Sequence, residues 1–244
     1  MARLTLNRPE ARNALSLPLL ESLHARADEL AARADLSVLV ITGQGRAFCA
    51  GMDLKSVLSD DGVGPDAFGR RLLQSLASLT LKLRALPQVT VARVNGAAIG
   101  GGCGLACVCD VALTHADAKL GFPEVGLGVC PAVVAPWLIH KVGAGRARRI
   151  LLLGGLMTGA QALQDSLVDR LAPDEASLDA LTDELVASLS QGGPHALRAT
   201  KELLAAVDGS IAPELLARAA ELSASVLATR ETREILTAKL SAPK

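Results

Sequence analysis

The chain has no tyrosine, and Phe48, Phe68, Phe122 and Trp137 are its only phenyl and indole side chains. It cannot build an aromatic platform for stacking bases. It has no excess charge: 25 Lys and Arg balance 25 Asp and Glu, with no basic or acidic block. Binding to nucleic-acid phosphates wants clustered cations, so no nucleic-acid partner is expected. Long apolar runs are missing as well. The longest charge-free runs, Val94–Cys109 and Val125–His140, are too short or too broken by glycine and proline to span a membrane. The opening "MARLTLNRPEARNALS" has no apolar h-region, so no signal peptide is expected. CxxC pairs are absent. The five cysteines, Cys49, Cys103, Cys107, Cys109 and Cys130, have only His115 nearby. A zinc site needs more ligands than that, so no metal is expected, and buried free thiols in a reducing cytoplasm are.

Apolar residues are plentiful, at 50% of 244 positions. The core must therefore be built from Ala, Leu and Val, in one large domain or a core with a small appendage. "RLTLN" alternates as a short strand, and "NRPEARNALS" is a turn. Ser16 can cap a helix from Leu17 to about Ala32. Ser37–Gly43 and "VTVARVNG" read as buried strands. A helix starts near Asp53, Ser59–Pro65 reads as a flexible break, and a long helix runs from about Asp66 to Leu86. The glycine run opens a short helix, Gly102–Val108. "DVALTHADAKLGF" gives two short strands, "PAVVAPWLIHKVG" and "AGRARRILLLGG" two helices, and "VDRLAPD" one more strand. His115 reads as exposed or hydrogen-bonded just past its strand, and Asp110 as a backbone partner at a strand start. From about Ala176 onward only helical patterns remain. This order predicts an α/β core with an all-helical tail.

"NGAAIGGGCGL" concentrates four glycines, Gly100, Gly101, Gly102 and Gly104, within five residues. Each costs roughly 0.5–1 kcal/mol in a regular element, so something must need the bare backbone. A second loop, "TGQGRAFCAGMDL", has the same design: a buried strand, small residues, then a helix N-terminus. Helix N-termini present unpaired N–H groups. Two of them side by side can direct two donors at one oxygen, an oxyanion hole suited to a carbonyl that becomes an enolate. No GxxxxGK[ST], G-x-G-x-x-G or G-x-S-x-G is present. Tight helix-on-strand packing that merely needs small residues is the competing reading, and the glycines alone leave it open.

"LNRPEARNALS", "VLVITGQGRAFCAGMDL", "VNGAAIGGGCGLACVCDVAL" and "LGFPEVGLGVCPA" occur here in that order. In order and spacing the chain resembles the enoyl-CoA hydratase/isomerase, or crotonase, superfamily, over nearly all of its length through the region near Leu171. The resemblance implies a crotonase-like (ClpP/crotonase) α/β core of repeated ββα units in residues 1–172. It implies a helical region, 173–244, that assembles homotrimers or hexamers. The implied partner is an acyl-CoA thioester; coenzyme A belongs to the substrate, and no separate cofactor is implied. Carried over by position, the oxyanion donors are the backbone N–H groups of Met52 and Gly101. Glu10, Ala11 and Arg12, with Ala50, Asp53 and Leu54, lie along coenzyme A, and Gly100 and Pro131 join the binding site. Arg12 and Arg46 are candidate phosphate partners but read first as solvated surface charges. Asp53 reads equally as the N-cap of its helix, and Lys239 reads first as an exposed lysine and second as a coenzyme A phosphate partner.

The family's familiar hydratases carry two glutamates. Here the first position is Gly104, and only the second, Glu124 in "FPEVGLG", is present. Its neighbours Phe122, Pro123, Val125 and Leu127 are apolar, and burial among them would raise its pKa toward that of a general acid/base. A surface ion pair is the bland alternative. Cys130 lies near positions where some relatives carry an acid, and reads as a structural thiol. The similarity of "VCPAVVAPWLIHKVG" to certain bacterial hydratases favours a hydratase of 2,3-unsaturated acyl-CoA thioesters. A Δ3,Δ2-enoyl-CoA isomerase, which needs one base only, is the alternative. A non-catalytic acyl-CoA binder is the third reading. The acyl pocket is expected between Ser56–Leu72 and Pro131–Trp137.

Overall fold

The computed structural model describes residues 1–58 and 65–241. The break read at Ser59–Pro65 lies, through residue 64, outside the described residues. The chain opens with β1 (Ala2–Leu6), a 3-10 turn at Pro9–Ala11 and α1 (Leu17–Ala31), capped by the Ser16 hydroxyl. Three strand–strand–helix units follow. The first is β2 (Val38–Gly43) and β3 (Ala47–Cys49) with α2 (Leu54–Leu58) and α3 (Pro65–Ala85). The second is β4 (Val89–Val94), β5 (Ala97–Ile99) and α4 (Gly101–Val108). The third is β6 (Val111–His115) and β7 (Lys119–Gly121) with α5 (Ala135–Val142) and α6 (Ala144–Leu153). Next come β8 (Leu156–Thr158), α7 (Gly159–Gln164) and β9 (Arg170–Ala172). The helices α8 (Leu178–Ser190), α9 (Pro194–Asp208), α10 (Pro213–Leu227) and α11 (Arg230–Ser241) end the described chain.

Each unit sends its first strand to one sheet and its second to another. The larger sheet runs β1-β2-β4-β6-β9, all parallel, and the smaller runs β3-β5-β7-β8. Both faces of the larger sheet are covered, which is why β2 and β4 read as continuous apolar runs with every residue buried. Alternate residues face opposite ways. Leu39, Ile41 and Ala92 enter the main core, while Val38, Val40 and Val91 pack against Leu178 and Leu185 of α8. Arg93, buried on β4, meets Asp179 of α8 at 2.8 Å.

The smaller sheet departs from the sequence reading. β3 and β5 lie inside the two glycine-bearing stretches read as loops, and β8 follows the Gly154–Gly155 break. Strands of three residues are too short to show a period. α5 starts at Ala135, four residues later than "PAVV" suggested, because 131–134 form a turn. His115 is neither exposed nor hydrogen-bonded through Nε2. It is buried at the end of β6, where α7 closes over its carbonyl. Asp110 does bond the backbone, accepting from the Thr90 N–H at 2.7 Å.

The segment between β1 and α1 is held by Asn13, which is fully buried with φ 56°. Its Oδ1 accepts from the Arg8 N–H at 2.8 Å, and its Nδ2 donates to the Gln44 and Ala47 carbonyls at 3.0 and 2.8 Å. One side chain thus ties the N-terminal loop to the turn between β2 and β3. Replacing Asn13→Ala orphans these groups and leaves a β-carbon in the left-handed region. Denaturant unfolding should show a loss of about 2–4 kcal/mol.

Candidate active site

Residues 12–15 pair with residues 50–53 like a short parallel ladder. Ala50 N–H donates to the Arg12 carbonyl at 3.0 Å, Leu15 N–H to Gly51 O at 2.7 Å, and Asp53 N–H to Leu15 O at 3.0 Å. Strand alternation turns the Met52 amide the other way, off this ladder. There it meets the start of α4. A β-carbon on Gly51 would sit 2.5 Å from the Ile99 carbonyl oxygen and 3.5 Å from the Gly101 nitrogen. A β-carbon on Gly101 would sit 3.9 Å from the Met52 nitrogen. Only glycine permits that approach, and it makes the two amides neighbours. Gly101 opens α4, so its N–H has no intrahelical acceptor, and the hydrogen bonds joining the described loops use neither amide.

Glu124 begins a 3-10 turn that ends at Gly128 in the left-handed region. The turn aims the carboxylate at the bare α-carbon of Gly100: a β-carbon there would lie 2.7 Å from Glu124 Oε1. Oε2 is buried and, among the described residues, has no hydrogen-bond partner. Burial pushes the Glu124 carboxyl up to about 7, opposed only by a hydrogen bond from its own backbone. The surface ion-pair alternative does not hold. At Gly104, the Val134 Cγ1 methyl lies 2.4 Å from where a β-carbon would be. The position has no side chain, and a neighbouring helix approach fills its space.

One cavity collects most of the expected residues. Ala50, Met52, Leu54, Gly100, Gly101, Glu124 and Pro131 line it. Glu10, Ala11, Arg12 and Asp53 do not. The first three lie on and after the Pro9–Ala11 turn, joined to the cavity lip by the Ala50-to-Arg12 bond. Asp53 bonds Arg8 at 2.7 Å and accepts from the Ser56 N–H at 3.4 Å, as an N-cap does. Burial pushes its carboxyl up, but the Arg8 and Ser56 bonds outweigh that and leave it lowered. Lys239 is exposed on α11. From the expected Pro131–Trp137 segment, Pro131, Val133 and Val134 line the cavity. From α3 the lining residues are Leu73 and Leu76, just past the expected Ser56–Leu72 stretch. Ser223, from α10, also reaches the cavity and had no signal in the sequence.

The lining is almost wholly apolar. Its polar side chains are Glu124, Cys130 and Ser223. Burial raises the Cys130 thiol, and pushes Cys49 and Cys109 up to about 12. A hydrogen bond to Cys107, with burial, raises Cys103 well above the ordinary thiol range. All stay protonated at neutral pH. Among the described residues, no group of three or more His, Cys, Asp or Glu side chains could hold a metal ion, and no helix is long and apolar enough to cross a membrane.

The Glu124 shift has a consequence for stability. Its folded value, about 7, lies above the ordinary 4.5. Between these values the unfolded chain ionises first, so the stabilisation present below pH 4.5 is lost as pH rises through 7. The loss amounts to about 3 kcal/mol. Unfolding titrations should show it in the wild type and not in Glu124→Gln.

The enoyl-CoA hydratase/isomerase family model matches residues 1–241. The 2,3-dehydroadipyl-CoA hydratase of Escherichia coli strain K12 is 34% identical over 238 residues, which cover 97% of this chain and 91% of that protein. Pseudomonas aeruginosa AtuE superposes with a TM-score of 0.81 at 37% identity, covering 98% of this chain and 92% of that one. An enoyl-CoA hydratase from Bacillus halodurans superposes with a TM-score of 0.89 at 25% identity, covering 97% and 96%. With paired ββα units feeding two sheets and two glycine turns meeting over a half-buried glutamate, the chain belongs to the enoyl-CoA hydratase/isomerase family of the crotonase superfamily.

Proposed function

We propose that the protein hydrates a 2,3-unsaturated acyl-CoA thioester with a single glutamate as its proton carrier. The observation that carries this reading is the Glu124 carboxyl, its Oε2 buried and unpaired among the described residues, set against Gly100 beside the two free amides. The thioester oxygen lies between the N–H groups of Met52 and Gly101. As carboxylate, Glu124 takes a proton from water while the water oxygen bonds to C3 and the C2=C3 pair moves toward the thioester. The two N–H groups hold the resulting enolate, each worth roughly 3–4 kcal/mol of barrier. The enolate closes, and Glu124 returns its proton to C2. A carboxyl that titrates near neutrality can both take and give that proton. Likeness to a 2,3-dehydroadipyl-CoA hydratase supports the reaction class.

A second reading has its own observation. Val134 fills the space over Gly104, so the cavity has one carboxylate and an apolar wall. That favours moving a proton between C4 and C2 of a 3-enoyl thioester, with Glu124 as the only base and no water needed.

Coenzyme A runs over the Glu10–Arg12 turn and Asp53, which lie outside the cavity, toward Leu54 on its lining. Residues 173–244 serve assembly into trimers or hexamers, supported by Leu203, Leu204 and Val207 standing exposed on α9. The setting is a reducing cytoplasm, supported by five free cysteines.

Incubation with crotonyl-CoA and 3-hexenoyl-CoA, followed by mass in ordinary and deuterated water, separates the readings. Gain of one water on crotonyl-CoA supports hydration, and conversion of 3-hexenoyl-CoA to its 2-isomer without water supports isomerisation. In either case Glu124→Gln should lower kcat by about 10²–10⁴-fold while acyl-CoA binding persists. Gly101→Val should damage both. The wild-type kcat/KM should rise with pH through about 7, because the first step needs the carboxylate. Full activity in Glu124→Gln would refute the assignment.

A further inference from the structure

The cavity wall after Glu124 is a stretch of loop, and loops do not hold position by themselves. Residues 128–132 have no regular structure, yet Val129, Cys130 and Pro131 line the cavity. On the upstream side the core fixes the chain: Phe122 N–H donates to Gly155 O at 3.1 Å, and Gly100 N–H to Gly121 O at 2.8 Å. On the downstream side two hydroxyls from the C-terminal helices take over. Thr232 on α11, 2% exposed, donates from Oγ1 to the Gly128 carbonyl at 2.6 Å. Ser223 on α10, 1% exposed, donates to the Cys130 carbonyl at 2.7 Å and accepts from the Ala132 N–H at 3.3 Å.

Helical serines and threonines commonly bond back to their own helix. Others here do so: Thr182 to Leu178 O and Ser225 to Leu222 O. Ser223 and Thr232 instead reach across to carbonyls of the loop. Gly128 lies directly under α11, where a β-carbon would be 3.0 Å from Ile235 Cδ1 and 3.4 Å from Thr232 Cα. Gly128 also closes the Glu124 turn, its N–H donating to the Glu124 and Val125 carbonyls, while the Val129 N–H donates to Glu124 O at 2.9 Å. Any shift of residues 128–130 is therefore passed through these bonds to the backbone of Glu124.

We infer that Ser223 and Thr232 are positioning residues for the reaction: they hold the 128–132 loop so that the Glu124 carboxylate stays over Gly100. The helical C-terminal region then has a part in the chemistry of its own chain, whatever its part in assembly. This rests on Glu124 being the proton carrier.

The test compares wild type, Glu124→Gln, Ser223→Ala, Thr232→Val and the conservative Ser223→Thr and Thr232→Ser, on whichever of crotonyl-CoA or 3-hexenoyl-CoA the wild type converts. Binding is followed separately with butyryl-CoA, which has no double bond to react. Ser223→Ala and Thr232→Val should each lower kcat by about tenfold, and together by about 100-fold, because small displacements of a reacting group are costly. Butyryl-CoA affinity should change less than threefold, and Thr232→Ser should recover most of kcat. In parallel, amide exchange of residues 124–132 should quicken in the two deletion variants while that of α3 does not. Unchanged kcat in folded Ser223→Ala and Thr232→Val, with Glu124→Gln inactive, would overturn this inference alone. Equal activity in Glu124→Gln and wild type would overturn it together with the proposed function. Should a deletion variant fail to fold, an unchanged kcat in Thr232→Ser with quickened exchange at 124–132 would still count against it.

Discussion

Two strand-to-helix turns cross at a separation that admits no side chain between them, and the rest of the site is arranged around that crossing. The β-carbon missing from Gly51 would strike the Ile99 carbonyl at 2.5 Å, and the one missing from Gly102 would strike the Cys49 carbonyl at 2.2 Å. The smaller sheet exists to bring these turns together. β3 and β5 pair in parallel, each following a strand of the larger sheet within a few residues. The glycines cost backbone entropy in the unfolded chain. In return they bring two N–H groups, one from the ladder at Met52 and one from the first turn of α4, to one side of one cavity.

The second constraint is the isolation of Glu124. An unpaired carboxyl in an apolar cavity is costly to keep, and folding does not require it. Val134 makes the isolation more complete by filling the space over Gly104, so no second side chain from α4 shares the proton. The carboxyl's raised pKa therefore comes from its surroundings and not from a partner. The loop that carries it is secured on one side by the core and on the other by hydroxyls of α10 and α11. Fold, acid strength and reach are in this sense one arrangement.

Much of this was legible in the sequence, for reasons that can be named. β2 and β4 are doubly buried and read as apolar runs. α1 announces itself with Ser16, and the glycine run with its entropy cost. The four ordered motifs carried the family, and with it Met52, Gly101 and Glu124. Other parts left no local trace. β3, β5 and β8 are three residues long and have no period. Leu73 and Leu76 line the cavity through the phase of α3, which sequence spacing could not fix to a residue. Ser223 and Thr232 act on carbonyls 93 and 104 positions away, and a lone hydroxyl in a helix looks the same whether it bonds its own turn or a distant loop. The burial of His115 depends on α7 folding over the end of β6, which no motif in either segment records.

Glu124 is a lone carboxyl in the cavity, and burial raises it enough to titrate near neutrality. The most direct measurement is its protonation in the ligand-free protein, from the infrared carboxyl band that is present in the wild type and missing from Glu124→Gln. A protonated-carboxyl band should persist through pH 6 and fade around pH 7. A Glu124 band already gone by about pH 5, as for an ordinary exposed glutamate, would contradict it.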